Sequence, residues 1–112
     1  MDRTAISIGL IKDYMMEIVC SIREQTRNQS EFLPVFDDDC KHYALLQFGW
    51  EGARRVHSIV VFARLKDGKI YIEEDWTAEG IGNYLMEHGV PENEIVLCWL
   101  PDYLPMTKQT TA

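Results

Sequence analysis

The spacing of the hydrophobic residues changes once along this chain, near residue 30, and this change constrains the fold most strongly. Before it, apolar residues recur at steps of three and four and form one stripe, as on the buried side of a helix. The members of this stripe are Ile8, Ile11, Met15, Ile18, Val19 and Ile22. After it come short runs with the two-residue period of β-strands. We therefore predict a helix over residues 5–26, followed by a sheet.

Four strands joined by short turns are predicted in the middle of the chain. The longest, residues 55–66, carries apolar residues on both faces, which favours a central position in the sheet. Asp67 and Gly68 follow it as a strong hairpin signal. Pro34 lacks the N–H that a central strand needs, so its strand is expected at a sheet edge. The four predicted strands span residues 31–36, 42–50, 55–66 and 70–74.

A second, short helix is predicted after these strands. Thr77 is a candidate N-cap, and Glu79 in the first turn complements the helix dipole. Gly89 suits the position that ends this helix, and the apolar run 95–100 predicts a short C-terminal strand or extended segment. The order of helix, antiparallel meander, helix and short strand predicts an α+β fold of two layers. The length of 112 residues fits a single domain over 1–112.

The net charge of −7 and the pI of about 4.8 bear on possible partners. Nucleic-acid affinity comes mostly from Lys and Arg that neutralise phosphates, so an acidic chain repels DNA unless its basic residues cluster. Arg54 and Arg55 are the only adjacent basic pair. We therefore expect any role on DNA to be exercised through a protein partner, with indirect or weak DNA contact.

The cysteines and the hydropathy favour a cytoplasmic location. Cys20, Cys40 and Cys98 are an odd number without close pairing, which suits free thiols in a reducing compartment. We expect Cys20 and Cys98 in the core and Cys40 in a turn. No apolar stretch approaches the roughly 20 residues that a membrane helix needs, so no membrane association is expected.

Three short patterns could carry chemistry. The aspartates at 37–39 with His42 could hold a divalent cation, but they also suit an Asx turn and lack EF-hand spacing. The Asp-Gly-Lys run at 67–69 has an acid and a lysine as in metal-dependent nucleases, although Asp-Gly favours a hairpin turn. Cys40 and His42 could form a thiol–imidazole pair, but no oxyanion site accompanies them. We expect no catalytic residue, metal or cofactor.

A nucleic-acid contact is predicted around the basic pair. Arg54 and Arg55, together with Trp50 and His57, could form a small surface for stacking and phosphate contact. The alternative is that Trp50 packs in the core and that the arginines pair with acidic side chains.

A partner or dimer interface is predicted around four large apolar residues near segment ends: Trp76, Trp99, Tyr103 and Leu104. Aromatic anchors are enriched in the centres of interfaces. The alternative is a core closed by the C-terminal segment.

Several short motifs follow one another at characteristic spacing. They are Gly49-Trp50-Glu51-Gly52, Asp67-Gly68-Lys69-Ile70, Gly89-Val90-Pro91 and Ile95-Val96-Leu97. Each motif is weak alone, but their order is specific. With them, the chain resembles the XisI family of fdxN element excision controlling factors over nearly its whole length.

The resemblance implies an accessory role in programmed excision of the fdxN DNA element in cyanobacteria. In that system a dedicated recombinase cuts and joins the DNA, and XisI acts beside a second controlling factor, XisH. We therefore expect a non-enzymatic factor with an XisH-like partner, and a homodimer is one way to cover an open sheet edge. A direct DNA-binding module and a metal-dependent nuclease or hydrolase remain the alternatives.

Overall fold

A computed structural model of the chain describes residues 3–23 and 30–100. The predicted α+β order is confirmed. Its elements are helix α1 (Thr4–Arg23), strands β1 (Ser30–Asp37), β2 (His42–Glu51), β3 (Arg54–Lys66) and β4 (Lys69–Asp75), helix α2 (Ile81–Glu87), a 3-10 turn (Glu92–Glu94) and strand β5 (Ile95–Leu97).

The strands form one sheet in the order β1-β2-β3-β4-β5. The first four pair antiparallel, whereas β5 runs parallel to β4 because the chain crosses back through α2 before it re-enters the sheet. The central position of β3 is confirmed, and so is the edge position of β1, which contains Pro34. A bulge at Val60 shifts the register, since Leu45 pairs with Val61 but Leu46 pairs with Ile59.

The hairpin between β3 and β4 has the predicted turn. Asp67 and Gly68 both have positive φ angles, 53° and 76°, as a type I′ turn requires. This geometry matches the right-handed twist of the flanking strands. The Asp-Gly-Lys run at 67–69 therefore serves as a turn.

The core lies between one face of the sheet and the two helices. Ile11, Met15 and Val19 of α1 are at most 1% exposed, which confirms the apolar stripe. They pack in one cluster with buried strand residues: Tyr43, Leu45, Val61, Ala63, Ile70 and Ile72. Burial of each large aliphatic side chain contributes about 1.5–3 kcal/mol. No helix within the described residues is both long enough and apolar enough to span a membrane.

The start of α2 differs from the prediction. The helix begins at Ile81, with Gly80 at the N-cap position and no side-chain cap from Thr77. Instead, Asp75 at the end of β4 reaches across the loop, and its Oδ2 accepts the Ile81 N–H at 2.7 Å. The Thr77 N-cap was wrong because Asp75 takes this role and binds Thr77 as well. Gly89, with φ of 99°, follows the C-cap residue as predicted.

The expectation for two of the cysteines was also wrong. Cys20 and Cys98 are exposed, as is the turn residue Cys40. Cys20 follows the buried Val19, and one residue along a helix turns the side chain by about 100°, away from the core.

Candidate partner-binding surface

Trp76 and Trp99 lie together on the surface. Their side chains are 78% and 43% exposed. Trp76 directly follows β4 and Trp99 comes shortly after β5. Because β4 and β5 are parallel, their C-terminal ends lie side by side at the same end of the sheet. The two indoles line a shallow cleft of about 350 Å³, the indole cleft, whose other lining residues are Glu73, Glu74 and Asp75.

The indole of Trp76 is held in place although it is exposed. Its Nε1 donates to Oε2 of Glu74 at 2.7 Å, and its backbone N–H donates to the Val60 carbonyl at 2.8 Å. Binding to an anchored side chain costs less ordering entropy than binding to a free one. Tyr103 and Leu104, which were predicted to share this surface, lie outside the described residues.

A second concavity lies on the other side of Trp76, between α1 and the sheet. This helix–sheet groove has a volume of about 570 Å³. Its apolar lining comes mainly from Ile18, Ile22, Phe32 and Val60, which are all half-buried. Glu17 and Glu79 also line it. The groove thus combines an apolar floor with acidic side chains.

A hydrogen-bonded chain links the Trp76 loop to α1. The Thr77 hydroxyl donates to Oδ1 of Asp75 and therefore accepts from the Tyr14 hydroxyl, with 2.6 Å between the two oxygens. Burial raises the pKa of Tyr14, and the negative charges of Asp75 and Glu79 raise it further. The phenol therefore stays protonated and keeps this link in neutral solution.

The Arg54–Arg55 region lies at the β2–β3 turn. Arg54 Nη2 is 3.0 Å from Oε2 of Glu51. The Arg55 guanidinium lies 5.6 Å from the centre of the Trp50 ring and 6.0 Å from that of Phe48. Trp50 is 49% exposed, so the alternative that placed it in the core is wrong. The structure brings Trp50 and both arginines together, but their charges and ring faces already have partners within the chain.

The aspartates at 37–39 form an Asx turn. Asp37 Oδ1 accepts the backbone N–H groups of Cys40 and Asp39, both at 3.1 Å, and the bond from Cys40 is the main cause of its lowered pKa. Asp38 accepts from Lys12 and from the Tyr43 hydroxyl, which lowers its pKa. In residues 3–23 and 30–100 no three His, Cys, Asp or Glu side chains are grouped to hold a metal ion.

Burial raises the pKa of Tyr43 to about 12, and its hydrogen bond to the Asp38 carboxylate adds to the effect. This bond and the one from Lys12 connect the Asx turn to the sheet and to α1. The interactions at this turn are structural.

Sequence reasoning missed an apolar surface on the side of the sheet opposite the helices. Leu33 and Val35 of β1 alternate with the core-packed Phe32 and Phe36, so they face away from the helices, and they are 39% and 50% exposed. Leu33 pairs with the half-buried Leu46 of β2. The signal was the uninterrupted apolar run at 32–36, which gives β1 two apolar faces.

A cluster of lysines was also missed, because Lys41 is distant in sequence from Lys66 and Lys69. Lys41, Lys66 and Lys69 line a cleft of about 650 Å³ beside the β3–β4 turn, together with Arg3. Arg3 pairs with Glu94, whereas none of the three lysines forms an ion pair with another described residue. The cleft therefore offers unneutralised positive charge on an acidic protein.

A five-stranded mixed sheet with two helices on one face and exposed indoles at its edge defines a small two-layer α+β protein. The model of the family described as XisI protein matches residues 1–111, and the chain belongs to this family.

Two crystal structures of proteins from Anabaena variabilis ATCC 29413 have the same fold. The fdxN element excision controlling factor XisI is 24% identical, with a TM-score of 0.74 over 90% of this chain and 96% of that one. A XisI-like protein is 25% identical, with a TM-score of 0.72 over 93% of this chain and 90% of that one. No match was found among curated proteins.

Proposed function

We propose that this chain is a non-catalytic accessory factor that controls the excision of a DNA element and acts through a protein partner. Membership of the XisI family carries the proposal, since a protein of this fold is the fdxN element excision controlling factor of Anabaena variabilis. The excision chemistry itself is then the task of a recombinase, and this chain decides whether it proceeds.

Two physical features support action through a protein. The net charge of −7 opposes close approach to phosphates. The anchored, exposed indole of Trp76 is the type of side chain that dominates binding energy in protein interfaces. We infer that an XisH-like protein binds at this surface in the cytoplasm.

Co-expression with the XisH-like protein of the same organism tests the partner. We expect the two chains to co-elute from a gel-filtration column at micromolar concentration. Two separate peaks would contradict this partner. Deletion of the gene, followed by amplification across the excision junction, tests the role itself. Unchanged excision in the deletion strain would contradict it.

Direct DNA contact is a second candidate because of the cleft that contains Lys41, Lys66 and Lys69. It predicts a gel shift of a DNA probe at low salt, with an affinity that falls steeply as salt rises. Lys66→Ala with Lys69→Ala should abolish the shift. Arg54→Ala is the matched control, since Arg54 is already paired with Glu51. The absence of any shift at low salt would eliminate this candidate.

A further inference from the structure

We propose that the surface around Trp76 binds a basic amphipathic segment of the partner. Its apolar side chains would enter the helix–sheet groove, and an arginine or lysine would enter the indole cleft. The inference rests on the proposed function and specifies the chemistry of the partner.

The helix–sheet groove and the indole cleft are both lined by negative charge. Two carboxylates line the helix–sheet groove and three line the indole cleft, while no described Lys, Arg or His lines either. Glu73 is neutralised by Arg64 at 2.6 Å. The other four form no ion pair with a described residue: Glu17, Glu74, Asp75 and Glu79. A positively charged ligand would meet uncompensated negative charge on both sides of Trp76.

The tryptophans differ in whether a cation lies over the ring. Trp50 has the guanidinium of Arg55 over its ring, 5.6 Å from the ring centre. No described cation lies over Trp76 or Trp99. A cation over an indole contributes about 0.5–1 kcal/mol at an exposed site and about 2 kcal/mol when desolvated. A basic side chain of the partner can thus lie over the ring of Trp76 or Trp99, as Arg55 lies over the ring of Trp50.

Because the floor of the groove is apolar, a segment that fits it has apolar side chains as well as basic ones. Ile18, Phe32 and Val60 line this floor and are only half-buried, so an apolar side chain seated there would remove apolar area from water. Such burial contributes about 25 cal/mol per Å². A helix or strand that presents apolar anchors into a groove is a recurrent mode of peptide recognition. The acidic lining then selects against acidic segments, because like charges repel.

The indole resonances of the three tryptophans offer a direct test. The probe is a synthetic amphipathic peptide of leucine, alanine and arginine, titrated into ¹⁵N-labelled protein. We expect the Nε1–H signals of Trp76 and Trp99 to shift and that of Trp50 to stay. Two peptides serve as controls. One has every arginine replaced by glutamate, and the other has the same composition in a non-amphipathic order.

The expected results follow from the two features of the surface. The glutamate peptide should produce no shift, and the reordered peptide should bind roughly tenfold more weakly, a loss of about 1.4 kcal/mol. Equal binding of the reordered peptide would reduce the interaction to non-specific charge attraction and overturn the proposal. Shifts confined to Trp50, or no shifts at all, would also overturn it.

A charge-reversed variant separates this inference from the proposed function. Glu74→Lys should bind the arginine peptide at least roughly tenfold more weakly. Glu51→Lys should bind it as the wild type does, because Glu51 pairs with Arg54, far along β3 from Phe62, the partner of Glu74. If the XisH-like protein co-elutes equally with wild type and Glu74→Lys, the partner stands and the inference fails. If it never co-elutes but the peptide shifts Trp76, the inference stands and the XisH-like partner fails.

Discussion

Trp50 and Trp76 are both exposed, but they lie in opposite electrostatic surroundings. At the β2–β3 turn, Trp50 has Arg55 over its ring. At the end of β4, Trp76 donates to Glu74, and the charged side chains that the described residues place in the indole cleft are all carboxylates. Exposure alone therefore does not distinguish the two indoles. The presence or absence of a cation among the described residues does, and it supports our proposal that Trp76 binds a partner.

The largest difference between the two regions is expected in partner affinity when each indole is removed in turn. We expect Trp76→Ala to weaken binding of the XisH-like partner by about 2–4 kcal/mol, roughly thirtyfold or more, as for a hot-spot aromatic residue. Trp50→Ala should leave the affinity within a factor of about two. Titration calorimetry with both variants measures the difference, and an equal loss in both would remove the distinction between the two regions.

The loop that holds Trp76 should depend on Asp75. Asp75→Ala removes the acceptor for the Ile81 and Thr77 N–H groups, and we expect a loss of about 1–2 kcal/mol in the free energy of unfolding. Asp75→Asn keeps one acceptor oxygen and should lose less. At the other region, Glu51→Ala breaks only an exposed pair and should cost at most about 0.5 kcal/mol. Urea unfolding compares all three, and an equal cost for Asp75→Ala and Glu51→Ala would contradict the prediction.

High pH should weaken the Trp76 region through Tyr14. The pKa of Tyr14 is raised in the folded state, while an unfolded tyrosine ionises near pH 10. The unfolded state therefore loses its proton first, and stability falls as the pH rises from about 10 towards the folded pKa.

Tyr14→Phe should reduce the slope of the free energy of unfolding against pH, because the ionisable group is gone. It should also lower the free energy of unfolding by about 1 kcal/mol at neutral pH, because the hydrogen bond to Thr77 is lost. The slope should not vanish, since the pKa values of Tyr43 and Tyr84 are raised as well. Urea unfolding at a series of pH values gives both numbers. An unchanged slope would show that Tyr14 ionises equally in both states.

The smallest effect is expected at the Trp50 region. Arg55→Gln removes the cation over Trp50 and should lower the free energy of unfolding by about 0.5 kcal/mol, as for an exposed cation–π contact. Arg55→Lys is the control, because it keeps a positive charge at this position. If the two variants have the same urea midpoint, the contact over Trp50 contributes nothing of its own.

Features encoded by adjacent residues were predictable. The period of the apolar stripe identified α1, Pro34 marked β1 as an edge strand, and Asp67-Gly68 located the hairpin. Predictions failed where two neighbouring residues suited the same role, or where one residue suited two positions. Asp75 replaced Thr77 at the start of α2, and an exposed sheet position placed Trp50 on the surface, although its aromatic character also suited the core.

The order and type of the elements follow from the sequence by itself, because hydrophobic period and turn dihedral angles depend on neighbouring residues. The family resemblance also follows from it, since its motifs are mostly turn glycines and strand residues in a set order. Only the tertiary structure decided that Trp76 and Trp99 share a cleft lined by carboxylates. That arrangement depends on the parallel pairing of β4 with β5, which connects segments that are separated along the chain by a helix.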